Sequence, residues 1–178
     1  MPVNRKLGRA ADQRTAILRN MTTAFVINGK VETTTARAKE ISAIVDKLIT
    51  EAIKEKDNFD TVTVDAKVPV KDKDGKRVKK EIDGKMVTEY TTVSKEIKKD
   101  QPSRLHARRQ MLKVLYPVTE VPEEAQGRKA ATKKVDLTQK LFDEYAVKYA
   151  DRKGGYTRIV KVGQRKGDAA MEVIIEFI

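Results

Sequence analysis

Few side chains in this sequence are equipped for catalysis. Its single imidazole, His106, sits among Arg104, Arg108 and Arg109 on a predicted helix, and neighbouring cations disfavour the protonated ring. The serines are Ser42, Ser94 and Ser103, each on a helix or at an element boundary, and none has a base and an orienting group arrayed around it as nucleophilic catalysis requires. The acid pairs Glu123-Glu124 and Asp143-Glu144 are adjacent in the chain, so on a helix their side chains diverge, and no His or third carboxylate joins them at ligand spacing. They read as solvated charges. Gly154-Gly155 follows a helix instead of opening one and fits neither the P-loop nor the GxGxxG pattern; it lets the chain turn from helix to strand. The absence of Cys removes disulfides, thiolate zinc sites, iron–sulfur clusters and thiol nucleophiles. No catalytic residue, metal, cofactor or small-molecule substrate is expected.

What the sequence has in quantity is positive charge. Lys and Arg number 38 against 26 Asp and Glu in 178 residues, a formal net charge of +12. Residues 1–54 carry ten bases and five acids, 55–103 twelve and eleven, 104–116 four and none, 117–136 four of each, and 137–178 eight and six. The excess therefore gathers in three clusters, Arg5 to Arg19, Arg104 to Lys113, and Arg152 to Lys166, the last with six bases and no acid. One such cluster is ordinarily a solvated face. Three, separated by balanced segments, suggest a surface assembled to neutralise phosphates. Membrane attraction is the weaker reading, because no basic helix has Trp or Phe along its apolar side, and neither a spanning segment nor a signal-peptide core is visible.

The elements that must hold these clusters follow from periodicity. Residues 1–11 are basic and aperiodic, an arm expected to order only on binding because it lacks apolar anchors. Asp12 is placed to cap a helix carrying Ile17, Leu18, Met21, Ala24 and Phe25, with Asn28-Gly29 as its stop. A short strand over Lys30 to Thr34 leads to a long amphipathic helix marked by Ile41, Ile44, Val45, Leu48, Ile49 and Ala52. Residues 55–102 alternate at period two through Val62, Val64, Ala66, Val68 and Val70, with Asp74-Gly75 and Asp83-Gly84 as turns; they predict an extended hairpin or small meander. Ser103 caps a helix that Pro117 ends. Residues 117–136 read as an inserted loop. Asp136 and Gln139 open another helix in capping-box fashion, and two strands, Tyr156 to Val162 and Met171 to Phe177, close the chain as a hairpin.

Within the last basic cluster, Arg152-Lys153-Gly154-Gly155-Tyr156-Thr157-Arg158-Ile159 is the most informative run. Glycines allow close backbone approach to RNA, Arg158 suits bidentate phosphate contact, and Tyr156 either stacks on a base or belongs to the core, the two readings being equally open.

Arg5 to Arg9 (RKLGR), Arg14 to Met21 (RTAILRNM), Thr33-Thr34 with Ala38-Lys39-Glu40, and Arg152 to Asp168 (RKGGYTRIVKVGQRKGD) together resemble the bacterial large-subunit ribosomal protein L17 family, over about residues 3–54, 103–116 and 137–178. The resemblance implies an α+β fold, a two-layer α/β core with a small three-stranded mixed sheet packed on helices, built from residues 12–54, 103–116 and 137–178. It sets off 55–102 as an inserted hairpin and 117–136 as an inserted loop. It further implies a structural constituent of the large subunit in the cytoplasm, holding rRNA segments together near the polypeptide exit region beside neighbouring ribosomal proteins. Carried over, Arg5, Lys6 and Arg9 form an inserting arm, and Arg14, Arg19 and Asn20 contact backbone from the first helix. Arg152, Lys153, Arg158, Lys161, Arg165 and Lys166 form a second set. Arg104, Arg108, Arg109 and Tyr156 join them from the reading of the basic clusters. The main rival is a free RNA-binding chaperone, which would use the same charge.

Overall fold

The computed structural model describes residues 5–72, 75–82, 85–121 and 132–178. The elements run α1 (Ala11–Asn28), β1 (Lys30–Thr34), α2 (Thr35–Glu55), β2 (Phe59–Pro69), β3 (Lys79–Ile82), β4 (Lys85–Thr88), β5 (Tyr90–Asp100), α3 (Pro102–Val114), β6 (Val118–Glu120), β7 (Lys133–Val135), α4 (Leu137–Lys140), a π-helical turn (Leu141–Tyr145), α5 (Ala146–Lys148), β8 (Thr157–Gln164) and β9 (Met171–Phe177). They divide into two compact units, residues 1–58 with 102–178, and residues 59–101.

In the first unit α2 is the central element. Its apolar stripe at Ala38, Ile41, Val45, Leu48, Ile49 and Ala52 is buried throughout, as the 3.6-residue period dictates. Helix α1 contributes Leu18, Phe25 and Val26 and ends at Gly29, whose φ of 75° is the left-handed conformation that lets its N–H reach Phe25 O at 2.8 Å without a Cβ clash. Asp12 lies within the first turn instead of at the cap, where its charge still favours the helix N-terminus. The aromatic side chains tie the ends of the chain together: Phe177 stacks on Phe25 at 4.3 Å and lies 4.4 Å from Tyr145.

The sheet has the order β1-β9-β8 and is antiparallel throughout, not mixed. Strands β1 and β8 do run in the same direction, but β9 lies between them. Each therefore pairs with an opposed neighbour, from Lys30↔Glu176 to Thr34↔Glu172 on one side and from Thr157↔Phe177 to Gln164↔Met171 on the other. Val173 and Ile175 face the helices and are fully buried. Residues 117–136 are also more than a loop, since β6 and β7 pair through Val118↔Val135, Thr119↔Lys134 and Glu120↔Lys133; three residues a side give too little alternation to register as strands. The Glu123-Glu124 pair lies outside the described residues.

The second unit is a ribbon. Strands β2 and β5 pair over their full lengths from Phe59↔Asp100 to Pro69↔Tyr90, and β3 pairs with β4. Asp74 and the Asp83-Gly84 turn lie outside the described residues. Where the chain leaves and re-enters the first unit, Asn58 Nδ2 donates to Glu55 Oε2 at 2.9 Å and to Ser103 Oγ, and Ser103 Oγ donates to the same carboxylate at 2.9 Å. These hydrogen bonds hold Glu55 below the usual carboxylate range.

Candidate nucleic-acid interface

The basic segments are fixed by successive turns of α2. Glu40, nearly buried, lies 3.8 Å from Arg5, and Leu7 packs against the core. The segment before α1 therefore has an apolar anchor that the sequence reading missed, because one Leu among bases shows no periodicity. Its turn is closed by Arg9 N–H to Lys6 O at 3.1 Å. Two residues along α2, Ser42 Oγ is 2.7 Å from Thr157 Oγ1 at the start of β8. Asp46 Oδ1 then accepts from Tyr156 N–H at 3.3 Å; burial pushes this carboxyl up, and the Tyr156 bond partly offsets that. Glu40, Ser42 and Asp46 thus position the arm and the 152–158 segment. Their only trace in the sequence is as polar residues beside an apolar stripe.

Tyr156 is a core residue, 1% exposed, with its hydroxyl donating to Arg152 O at 3.3 Å and its ring 5.3 Å from that of Tyr149. Base stacking is closed to it. Gly155 before it has φ 63°, which allows the reversal that buries the ring.

Three arginines expected at rRNA are committed inside the fold. Arg104 is fully buried, donating from Nη1 to Lys56 O at 2.9 Å with its guanidinium 4.4 Å from the Phe142 ring centroid. Arg108 donates to Asp136 Oδ2 at 3.2 Å, Thr138 Oγ1 at 2.6 Å and Gln139 Oε1 at 3.0 Å, fastening α3 to the start of α4. There Asp136 accepts from the N–H groups of Thr138 and Gln139 at 3.0 and 3.1 Å. Burial pushes the Asp136 carboxyl up, but the Thr138 hydroxyl, which donates to it at 2.7 Å, with these N–H groups and Arg108, holds it below its ordinary value. Arg19 donates to Val114 O at 3.2 Å and Leu115 O at 3.4 Å and lies 4.1 Å above the Tyr116 ring, capping the end of α3. Each planar fork finds carbonyl or side-chain oxygens nearby, and the long stem covers apolar surface.

On the closing hairpin, Arg158 meets Glu176 at 3.0 Å from Nε. Arg165 grips Asp168 through Nε at 2.9 Å and Nη2 at 2.6 Å, with Glu172 at 3.5 Å. The Arg165 bonds, with the Ala170 N–H, hold the Asp168 carboxyl down to about 2. Both arginines remain exposed, so a phosphate would have to compete with carboxylates for them. Arg152 reaches Gly155 O at 3.2 Å. By contrast, the exposed side chains of Lys6, Arg9, Arg109, Lys153, Lys161 and Lys166 have no hydrogen bond or ion pair among the described residues, and neither do half-buried Arg14 and exposed Asn20.

His106 is exposed on α3, its Nε2 3.2 Å from Gln110 Nε2. Among the described residues, no group of three or more His, Cys, Asp or Glu could hold a metal ion, and no helix is long and apolar enough to cross a membrane.

A small α+β fold whose buried polar contacts serve to anchor basic segments, leaving lysines and arginines outward without intramolecular partners, is of the polyanion-binding scaffold class. Residues 17–178 match the family described as Ribosomal protein L17. A protein of Lachnospira eligens named "Large ribosomal subunit protein bL17" is 67% identical over 174 residues, covering 98% of each chain. Proteins of the same name from Acetivibrio thermocellus and Listeria innocua are 44% identical over the whole of both chains and 37% identical over 98% of each. The chain belongs to the ribosomal protein L17 family.

Proposed function

We propose that this protein is a structural constituent of the large ribosomal subunit, working in the cytoplasm, where it binds rRNA and neighbouring ribosomal proteins near the polypeptide exit region. The observation that carries the reading is the set of exposed cations with no intramolecular partner among the described residues, Lys6, Arg9, Arg109, Lys153, Lys161 and Lys166, on a chain whose relatives are named as large-subunit proteins. Such cations displace condensed counterions from the phosphate backbone, and a folded support fixes their spacing so that RNA shape is read more than sequence. Arg5, Arg14, Asn20 and Arg152 are accessible auxiliaries. Arg158 and Arg165 contribute where rRNA outcompetes their carboxylates. Arg19, Arg104, Arg108 and Tyr156 act by shaping the support.

The test is sucrose-gradient sedimentation of a lysate at low and high salt, following the chain by mass spectrometry. Stoichiometric presence in the large-subunit and whole-ribosome peaks, with release only at high salt, is expected. A chain found free at low salt, or bound to RNA of every size, would overturn the reading in favour of an RNA chaperone.

A further inference from the structure

The ribbon of residues 59–101 has two unlike faces. Opposed residues in an antiparallel pair share a face, so the register places Val62, Val64, Ala66 and Val68 of β2 with Ile97 and Val93 of β5 on one side. The other side carries Thr61, Thr63, Asp65 and Lys67 with Lys98, Glu96, Ser94 and Thr92. The polar face is internally satisfied in part, Ser94 donating to Asp65 at 3.0 Å. The aliphatic face is open: Val62, Val64, Val93 and Ile97 are 38, 44, 42 and 49% exposed. The same face carries Lys95 opposite Val64, Thr91 opposite Val68 and the Asp60–Lys99 pair at one end, but an aliphatic stripe of six residues on a two-stranded ribbon is unusual for a surface that meets only water.

From this face we infer that the ribbon is a protein-docking element, and that its aliphatic side seats on an aliphatic patch of a neighbouring protein within the same subunit, with a carboxylate of that partner facing Lys95. The inference rests on the chain's place in the large subunit.

Charge argues against RNA as the cover. Strands β2 and β5 together carry four bases and four acids and no arginine, and the aliphatic face offers no aromatic ring on which a base could stack. Lys95, opposite Val64 in the middle of the stripe, is its one central charge and calls for a single anion in the partner. Area argues against a second copy of this chain. Six aliphatic residues fall well short of the roughly 20–30 residues and about 800 Å² per partner of a stable free complex. A chain already held by rRNA needs far less, because the second contact is made at high effective concentration.

The test places a photoreactive benzoylphenylalanine at Val64, or at Thr63 on the opposite face, in the full-length chain expressed in cells. Large subunits are then isolated on a gradient and irradiated, and the crosslinked products are identified by mass spectrometry. The Val64 probe is expected to join a different protein of the subunit at an apolar residue near an Asp or Glu, several-fold more than the Thr63 probe does. Crosslinks to rRNA, crosslinks to a second copy of this chain, equal yields from both faces, or no crosslink in subunits that contain the probe chain would each overturn the inference. Failure of the parent reading shows earlier and separately, as absence of the unmodified chain from the subunit peak.

Discussion

Arg19 separates support from contact most cleanly, because its charge alone would assign it to rRNA. Replacing it by Ala removes two hydrogen bonds to the end of α3, at 3.2 and 3.4 Å, and a cation–π contact at 4.1 Å. Each bond, long for its type, is worth about 1 kcal/mol, and the ring contact adds about 0.5–1 kcal/mol. The loss should therefore be about 2–3 kcal/mol, which for a chain of this size lowers the melting temperature by roughly 5–10 °C. Thermal and urea unfolding of the free protein, followed by circular dichroism with no RNA present, reads this directly. Arg19→Lys, which keeps the charge but not the planar fork, should recover less than half. Arg9→Ala should leave stability within about 0.5 kcal/mol while weakening RNA binding and flattening its salt dependence by about one counterion. If Arg19→Ala left the free protein as stable as the parent and lowered only RNA binding, the assignment of this side chain to the fold would be wrong.

The remaining expectations use the same separation. Asp168 should titrate near 2 by carbon-detected NMR and return toward 3.8 in Arg165→Ala; since its folded value is depressed, its contribution to stability is present above 3.8 and is lost as pH falls through 2. Asp136→Ala removes an N-cap and the partner of Arg108 and should cost about 1–2 kcal/mol, whereas Asp136→Asn keeps the acceptor and should cost less than half of that in the same unfolding assay. Tyr156→Phe loses the hydroxyl bond to Arg152 O and a longer contact, 3.5 Å, with Thr50 Oγ1, and should leave RNA affinity unchanged at about 1 kcal/mol of stability. Tyr156→Ala should cost about 3–5 kcal/mol; Tyr156→Leu, which keeps bulk but removes the ring, should leave RNA affinity unchanged in folded protein, and a large affinity loss there with none in the Phe variant would restore the stacking role.

The elements with strong periodicity were legible in the sequence: α2 by its stripe, the end of α1 by Asn28-Gly29, the ribbon by Val62 to Val68, and the closing hairpin by Met171 to Phe177. Sheet direction was not, because pairing partners are set by which strand fills the middle and no local pattern marks that. Nor could a count of bases distinguish Arg104, buried against Phe142, from Arg109, exposed one turn further along the same helix. Arginine's charge is written in the sequence, but the carbonyls of Lys56, Val114 and Leu115 that occupy it arrive only through tertiary packing. Tyr156 was decided by Gly155 and Asp46, one supplying the backbone reversal and the other the acceptor for its N–H.

The small knot of hydrogen bonds among Glu55, Asn58 and Ser103 bears on how this gene can vary. It pins together the two points between which the ribbon is spliced, so the helices on either side are joined whatever the length of chain looping out. With the ends held, each doubling of the loop adds only about 0.6 kcal/mol of closure entropy. Insertions and deletions at this position are therefore nearly neutral for the rest of the molecule, and the site is open to evolutionary trial: a lineage can lengthen, trim or discard the ribbon to suit its own neighbours while the rRNA-facing part stays under separate selection.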